Sequence, residues 1–508
     1  MCRLHFSSIK SLKLHIFFWV AVLIASANGN NSYAQTLLPH PERSGIGLEF
    51  SQGGRTIAPL NVSRTLPHFD IRSSLFVTDV NSVRQISFAE VLDALVAGTS
   101  TTKEQLFHQW WDTANRKPGL QLGAHCDDQS APGSDGEALM NGFPYKCPRP
   151  EGKEATSDPF SAAATSPTAY QAIAYSNRFD LASPDGTDCG EYRVVFARNS
   201  GISNITDRNL IIFEARVKNP QPSAGINGCR PILEFWLSLS DPSIDTTKRG
   251  QLLKDFYLKG LPSNGVGPVI TAANYEKGTG QIRTNQFLDQ STTTGFIWTL
   301  REFKIATAGG LTTMVPEDVK ANPGNALFLE GSTNANAAAF ADEIVAQLPG
   351  IRGGASGENS LTSFGFNNAE IFNSFDSNEG ETSIGDVLFA FDAKGAGPLH
   401  DKLQAALTAL GSQLTPDNVV RRIRVLTCAG CHHYSNFDNG LGGGASQWPS
   451  SINFTQESES QFETGSDVGP DGPGKRFLIS DILKMVLLPA RASLMTIFLS
   501  QFPTSVTN

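Results

Sequence analysis

Six of the seven cysteines in this 508-residue chain follow an apolar N-terminal segment, and their spacing constrains the fold more than any other feature. Cys428 and Cys431 stand three positions apart, and His432 follows directly. The other four are widely spaced: Cys126, Cys147, Cys189 and Cys229. A Cys-x-x-Cys-His sequence is compatible with a redox dithiol, half of a zinc site or covalent attachment of haem. The cellular compartment has to be established before these alternatives are compared, because oxidising compartments convert exposed thiols to disulfides.

Residues 1–34 have the pattern of a secretory signal, with basic residues first, an apolar run over Ile16–Ala25, and small residues after it. The apolar run is too short to span a bilayer, which needs about 20 residues. Cleavage after Ala34 is favoured, with Ala27 as the alternative. The sequence therefore predicts a periplasmic or secreted bacterial protein with no transmembrane anchor after signal removal.

The composition is that of a globular protein with a sizeable core, since 40% of the residues are hydrophobic and 18% are charged. At about 150 residues per domain, the length predicts two or three domains. The formal net charge is −9. An acidic chain lacks the basic surface that binds phosphates, so nucleic acid is excluded as the expected partner.

An even number of cysteines outside the motif, in an oxidising compartment, is most simply explained by two disulfides. Four cysteines allow three pairings. We favour Cys126–Cys147 and Cys189–Cys229, because each pair brackets a turn-rich segment that a crosslink would hold. A second metal site is the alternative, but none of the four cysteines has a close Cys-x-x-Cys partner.

For the motif itself, the spacing favours haem attachment. A zinc site needs four protein ligands, and no second Cys-x-x-Cys or paired histidine is apparent. A thioredoxin-like dithiol follows a strand and begins a helix. Here, Pro416 opens a predicted helix before the motif, and a glycine-rich loop comes after it. We expect one haem c per chain, with Cys428 and Cys431 bonded to the porphyrin vinyl groups and His432 under the ring.

With a helix before it, loops after it and a closing helix at the chain end, the segment 396–508 resembles a small single-haem cytochrome c domain. The order of FHQWWDT, GQIRTNQF and TCAGCH also resembles a group of exported bacterial proteins with a C-terminal haem motif. The resemblance implies that His432 is the proximal iron ligand and that a later methionine is the distal one. Met485 is the candidate at the family-like position, whereas Met495 lies within the closing helix. Another ligand or an open site is the alternative.

The rest of the chain, residues 35–395, is predicted to be an exported α+β region of unknown function that is strand-rich over about 190–306. Five strands are predicted there, separated by turn-rich segments: EYRVVFA, LIIFEARV, PILEFWLSL, GQIRTNQF and FIWTLREFKI. The expected fold class is therefore multidomain: a β-rich α+β region followed by a small all-α cytochrome c-like domain. Glu214 and Glu234 fall in predicted strands, where solvated or salt-bridged positions are favoured over a glycosidase pair. Trp110 and Trp111 are expected in the core rather than on a stacking surface.

Three functions are compatible with these observations. The first is electron transfer by a c-type cytochrome with a redox partner protein. The second is a haem-dependent oxidoreductase of peroxidase or oxygenase type, which requires an open distal site. The third is a non-catalytic haem sensor or binding protein. No catalytic residue is assigned. The identity of the distal iron ligand, or an open position there, would distinguish the three functions.

Overall fold

An antiparallel sheet of eight strands organises the computed structural model of this chain. The structure describes residues 67–129, 138–161, 166–287, 298–354, 357–379, 385–450, 461–463 and 475–501. The predicted signal lies outside these residues.

The sheet strands run in the order β1-β4-β5-β6-β7-β8-β10, with β9 paired to β8, and β2 and β3 form a separate hairpin. Their bounds are β1 (Phe76–Val77), β2 (Ala138–Met140), β3 (Phe143–Tyr145), β4 (Tyr170–Arg178), β5 (Asp188–Arg198), β6 (Asn209–Lys218), β7 (Gln281–Gln286), β8 (Trp298–Ala308), β9 (Leu311–Glu317) and β10 (Asp376–Glu379).

The helices are α1 (Ile71–Ser74), α2 (Val80–Val83), α3 (Phe88–Val96), α4 (Lys103–Asp112), α5 (Arg230–Ser238), α6 (Thr246–Lys259), α7 (Ala337–Ile351), α8 (Val387–Asp392), α9 (Pro398–Ala409), α10 (Pro416–Arg424) and α11 (Leu488–Gln501). Single π-helical turns occur at Gly430–Tyr434 and Leu483–Leu487.

Local sequence explains where the main helices begin. Ser87, Thr102 and Thr415 each cap a helix, and in all three a side chain three residues later returns a hydrogen bond to the cap backbone. Such reciprocal caps satisfy amide groups that the first helical turn leaves unpaired. The helix start predicted at Pro416 is confirmed.

Aromatic side chains fill the space between one face of the sheet and the N-terminal helices. Trp110 of α4 lies 5.6 Å from Phe303 and 6.4 Å from Phe213, measured between ring centroids. Phe88 of α3 lies 5.3 Å from Phe196. Trp110 and its stacked neighbour Trp111 are fully buried, so the expectation that they belong to the core is confirmed.

Four of the five strands predicted between residues 190 and 306 are present as β5, β6, β7 and β8, but the fifth segment, PILEFWLSL, is helix α5. Its buried residues are Ile232, Leu233 and Trp236, a helical spacing that a continuous apolar run conceals. Glu234 therefore lies on a helix, where it pairs with Arg230, and the prediction of a strand at this position is wrong.

The expected separate cytochrome c-like domain is not present, so the predicted multidomain fold class is wrong. Residues 35–508 group as one unit, and the C-terminal segments join N-terminal ones directly. The Val80 amide donates to the Lys475 carbonyl, and the Phe477 amide donates to the Thr78 carbonyl, both at 3.0 Å. The apolar faces near the chain end pack against the large sheet and its helices, rather than against one another in a separate small bundle.

The pattern FLISDILKMVLLPARASLMTIFLSQF predicts two helical segments divided at Pro489, but the closing helical run is continuous across this proline. Pro489 comes just after the π-helical turn Leu483–Leu487 and lies inside the run, where its ring leaves one backbone donor missing. By length and composition, Leu483–Gln501 is the one described helix that could cross a membrane, and 44% of that window is buried inside the protein.

Both predicted disulfides, Cys126–Cys147 and Cys189–Cys229, are present. They close loops with sequence separations of 21 and 40 residues. In the loop-entropy account, each bridge stabilises the fold by about 3 to 4 kcal/mol. We therefore expect Cys189→Ala/Cys229→Ala to lower the free energy of unfolding by that amount in urea titrations. Non-reducing peptide mapping checks the pairing, and free thiols at these positions in exported protein would contradict it.

Candidate functional site

Helix α10 leads directly into the Cys-x-x-Cys-His sequence, and a buried arginine holds this helix in place. The Arg422 guanidinium donates to the carbonyls of Leu441, Arg352 and Glu358 at 2.6 to 2.9 Å. It also lies 4.3 Å from the Phe364 ring centroid. These contacts come from three separate segments, so the position of the motif is set by long-range packing.

A tight turn follows α10, and it requires glycine at the centre of the motif. The Thr427 hydroxyl donates to the Arg424 carbonyl and accepts from the Gly430 amide. A Cβ built on Gly430 would lie 1.9 Å from the Arg424 carbonyl oxygen. Any other residue would therefore displace the backbone at the point where Cys428, Cys431 and His432 share one helical turn.

The motif packs on the sheet face opposite the N-terminal helices, which we call the motif face. Cross-strand neighbours share a face of an antiparallel sheet, so the strand register identifies its members. They include Arg178, Glu191, Arg193, Glu214, Gln281, Arg283, Trp298, Leu300, Glu302, Ser377 and Glu379, together with Ser176, Val195, Leu210, Ile212 and Asn285. Polar and charged residues predominate, in contrast to the aromatic residues on the other face.

Contacts from β8 and β10 fix the orientation of the motif. The His432 ring stacks on the Trp298 ring, with centroids 4.2 Å apart and planes 18° apart. The Ala429 amide donates to the Ser377 hydroxyl at 3.1 Å. The Cys428 Sγ lies 3.8 Å from the Lys320 carbonyl oxygen. His432 is 9% exposed, so its imidazole is held inside the protein.

The neighbouring histidine has a different environment. His433 Nδ1 lies 2.9 Å from Glu379 Oε1, and about half of the His433 side chain is exposed. Two adjacent histidines are thus directed to different places, with His432 buried on Trp298 and His433 at the surface. The proximal role of His432 stays a prediction.

Ion pairs cover the motif face beneath the thiols. Arg193 Nη1 lies 3.0 Å from Glu214 Oε1, and Arg283 Nη2 lies 3.0 Å from Glu302 Oε2. Gln281 Nε2 donates to Glu214 Oε2 at 2.6 Å. Glu214 is therefore a buried, salt-bridged strand residue, as favoured from the sequence. Glu234 lies on α5, and no glycosidase pair is formed.

Both motif thiols are free and half-buried. Burial raises the pKa of the Cys428 thiol to about 11, although the Arg283 guanidinium opposes that shift. Burial, and then the nearby Cys428, raise the pKa of the Cys431 thiol to about 12. A redox dithiol works through a thiolate and has a lowered pKa. The environment of these thiols is therefore the opposite of the one that a reactive dithiol requires.

The two candidate methionines are placed differently from the motif residues. The Met485 side chain is 67% exposed in its π-helical turn, so the structure does not bring its thioether into the interior that receives His432. Met495 is buried, and the Asn177 side-chain amide lies 3.7 Å from its sulfur. A core role for Met495 matches the sequence expectation, and the distal role of Met485 stays a prediction.

No pattern in the sequence marks Trp298, Ser377 or Arg283 as neighbours of the motif, because each lies more than 50 positions away along the chain. The segment FIWTLREFKI contains one usable signal. Glu302 and Lys304 alternate there with Phe303 and Ile305, and alternation in a strand places these two charges on a single face.

Within the described residues, no group of three or more His, Cys, Asp or Glu side chains could hold a metal ion. The zinc alternative thus has no protein ligand set there, since a structural zinc needs four. No protein-family model, curated protein or solved structure matches this chain.

Proposed function

We propose that this chain is an exported c-type cytochrome that carries one haem bonded to Cys428 and Cys431, with His432 as the proximal iron ligand. The observation that carries the proposal is the Cys-Ala-Gly-Cys-His turn, in which two free thiols and a buried imidazole share a single helical turn against the motif face. Two thiols and an adjacent imidazole are the donor set that covalent haem attachment uses.

Two further features bear on the proposal. Thioether bonds, once formed, do not depend on the ionisation of the thiols, so the raised thiol pKa values of the folded chain do not oppose haem attachment. The two disulfides agree with an oxidising compartment, where c-type attachment prevents loss of the cofactor.

When bound, the haem would exchange single electrons between its ferric and ferrous states with a redox partner protein. The chain's own residues would hold and orient it. Cys428 and Cys431 would tether its edge, Trp298 would fix the plane of the His432 imidazole, and Ser377 would anchor the turn through the Ala429 amide.

The test is haem-peroxidase staining after denaturing electrophoresis, on chain secreted from a strain that matures c-type haem. We expect a stained band for the wild type and none for Cys428→Ala/Cys431→Ala. Cys126→Ala/Cys147→Ala is the matched control, because it removes two cysteines from a structural bridge and should keep the stain. An unstained wild-type band would contradict the proposal.

A further inference from the structure

The sheet face that packs against the N-terminal helices changes from aromatic to polar at one end. Phe196, Phe213 and Phe303 belong to its aromatic part. Residues two or four positions away along the same strands share that face, because side chains alternate in a strand. The strand register aligns them in one row across the sheet, which we call the polar row: Tyr170, Arg198, Asn209, Gln286, Thr299 and Asn378.

A short 3₁₀-helical segment, Pro150–Thr156, is joined to this end of the sheet at two places. Glu154 Oε2 lies 3.3 Å from Arg198 Nη2 on β5. Glu151 Oε1 lies 3.2 Å from Arg301 Nη1 on β8. The two ion pairs therefore lie on either side of the positions that β6 and β7 contribute to the polar row.

Between the ion pairs, several buried side chains have no protein partner. Asn209 and Gln286 are cross-strand neighbours on β6 and β7, and both are 0% exposed. Among the described residues, neither the nitrogen nor the oxygen of either carboxamide has a hydrogen-bond partner. The same holds for the Thr284 hydroxyl, two positions before Gln286, and for the Tyr170 hydroxyl and Glu151 Oε2. These unpartnered polar atoms belong to side chains of the sheet end and of the segment joined to it.

Buried polar groups without a partner are rare in folded proteins, because each has lost its hydrogen bonds to water and gained none in return. Two complete carboxamides at adjacent positions are therefore expected to be compensated by a molecule that the protein binds. Each carboxamide both donates and accepts hydrogen bonds, so the bound molecule must do both. A hydroxyl group meets this requirement, whereas a simple metal ion only accepts electron pairs.

The charges at this end of the sheet are already matched, so the bound molecule need not be charged. Glu151 is paired with Arg149 and Arg301, and Glu154 is paired with Arg198. Two further carboxylates pair with these arginines: Asp207 and Asp376. The strands that carry Arg198 and Arg301 are three spacings apart, about 14 Å in an antiparallel sheet, which sets an upper limit on the size of the molecule.

We propose that Asn209, Gln286 and Thr284 form a closed binding site for a small neutral molecule with hydroxyl groups. Two sources share this chemistry, ordered water and a small polyol. The site lies on the sheet face opposite the motif face, so it is independent of the proposed haem.

Replacing the two amides by apolar side chains of similar shape tests the site. The full chain with Asn209→Leu/Gln286→Met keeps its packing volume but loses the groups that would hold the molecule. Water-¹⁷O relaxation dispersion counts the water molecules that a protein holds for longer than its tumbling time. If ordered water occupies the site, the double variant should hold fewer such molecules than the wild type.

A glycerol titration distinguishes the polyol from water. A molecule that binds only the folded chain raises the thermal unfolding midpoint as its concentration rises, whereas the general effect of an osmolyte acts on all variants alike. If a polyol occupies the site, glycerol should raise the midpoint of the wild type more than that of the double variant. If water occupies it, the two glycerol shifts should be equal and only the water counts should differ.

Gln347→Met is the matched control, because the Gln347 amide has protein partners at both ends. Its Nε2 donates to Glu343 Oε1 and to the Asn367 carbonyl, and its Oε1 accepts from the Asn367 amide. This variant should keep the water count and the glycerol shift of the wild type. Thr284→Val, a smaller change, gives the same comparison if the double variant does not fold. Equal water counts together with equal glycerol shifts in the wild type and the double variant would overturn the proposed site.

Discussion

Replacing Glu151 by alanine is expected to lower the free energy of unfolding by about 3 to 5 kcal/mol, the cost of removing one partner from a buried ion pair. The Glu151 carboxylate lies between two buried guanidiniums, paired with Arg149 and 3.2 Å from Arg301 Nη1. Burial alone would raise the pKa of Glu151, but Arg149 and then Arg301 lower it below its usual value. The substitution leaves two buried cations with too little compensating charge.

The matched control for this prediction is Glu234→Ala. Glu234 also pairs with an arginine, Arg230, but at 43% side-chain exposure on the surface of α5. Exposed helical pairs contribute about 0.3 to 0.5 kcal/mol. Urea unfolding of both variants at the same pH measures the difference. If Glu151→Ala costs no more than its control, the pairing of Glu151 with Arg149 and Arg301 does not stabilise the fold.

The lowered pKa of Glu151 also predicts how the stability of the protein depends on pH. The folded-state pKa of Glu151 is lower than its unfolded-state pKa. The stabilisation that the ionised Glu151 gives to the folded protein is therefore fully present at pH values above the unfolded-state pKa, and it is lost as the pH falls through the folded-state pKa. The wild type and Glu151→Ala should therefore converge in stability in acid.

Of the substitutions near the proposed haem, His432→Ala is expected to change the properties of its iron most. Loss of the proximal imidazole should change the ferric absorption spectrum and shift the midpoint potential by on the order of 100 mV, because axial ligands are the main determinant of haem potential. The chain offers a control at the next position. His433→Ala removes an exposed histidine that pairs with Glu379, and it should leave both quantities close to those of the wild type.

Met485→Ala completes this comparison by testing the distal side. Because the Met485 side chain is two-thirds exposed, we expect the spectrum to be unchanged and no methionine charge-transfer band in the far red. Loss of such a band in the variant would instead make Met485 the distal ligand and favour simple electron transfer. The outcome that would contradict the prediction for His432 is also spectroscopic. If His432→Ala and His433→Ala had the same ferric spectrum, His432 would not be the proximal ligand.

The amino-acid sequence by itself determined the local features of this protein. The capping residues Ser87 and Thr415 each select a helix start through hydrogen bonds within four residues of the chain. The Cys-x-x-Cys-His spacing places two thiols and an imidazole on one turn, and Gly430 permits that turn. Alternation of residue types predicted four central strands. Each of these features depends on residues that are close together in the sequence, so a short sequence pattern is enough to predict it.

Only the tertiary structure decided what these elements pack against. An amphipathic helix such as α10 shows in its sequence that one face must be buried, but not which surface buries it. For this reason the expected cytochrome c-like domain was a plausible interpretation of the helical pattern and a wrong one: the C-terminal segments pack on a sheet built mainly from residues 170–308.

The same limit applies to the candidate site. Trp298 beside His432 and Ser377 beside Ala429 are brought together from distant parts of the chain. Pairings of this kind follow from strand register and helix packing, which depend on the free energy of the whole fold rather than on any short segment. The sequence therefore determined the chemistry of the motif, and the packing decided which groups surround it.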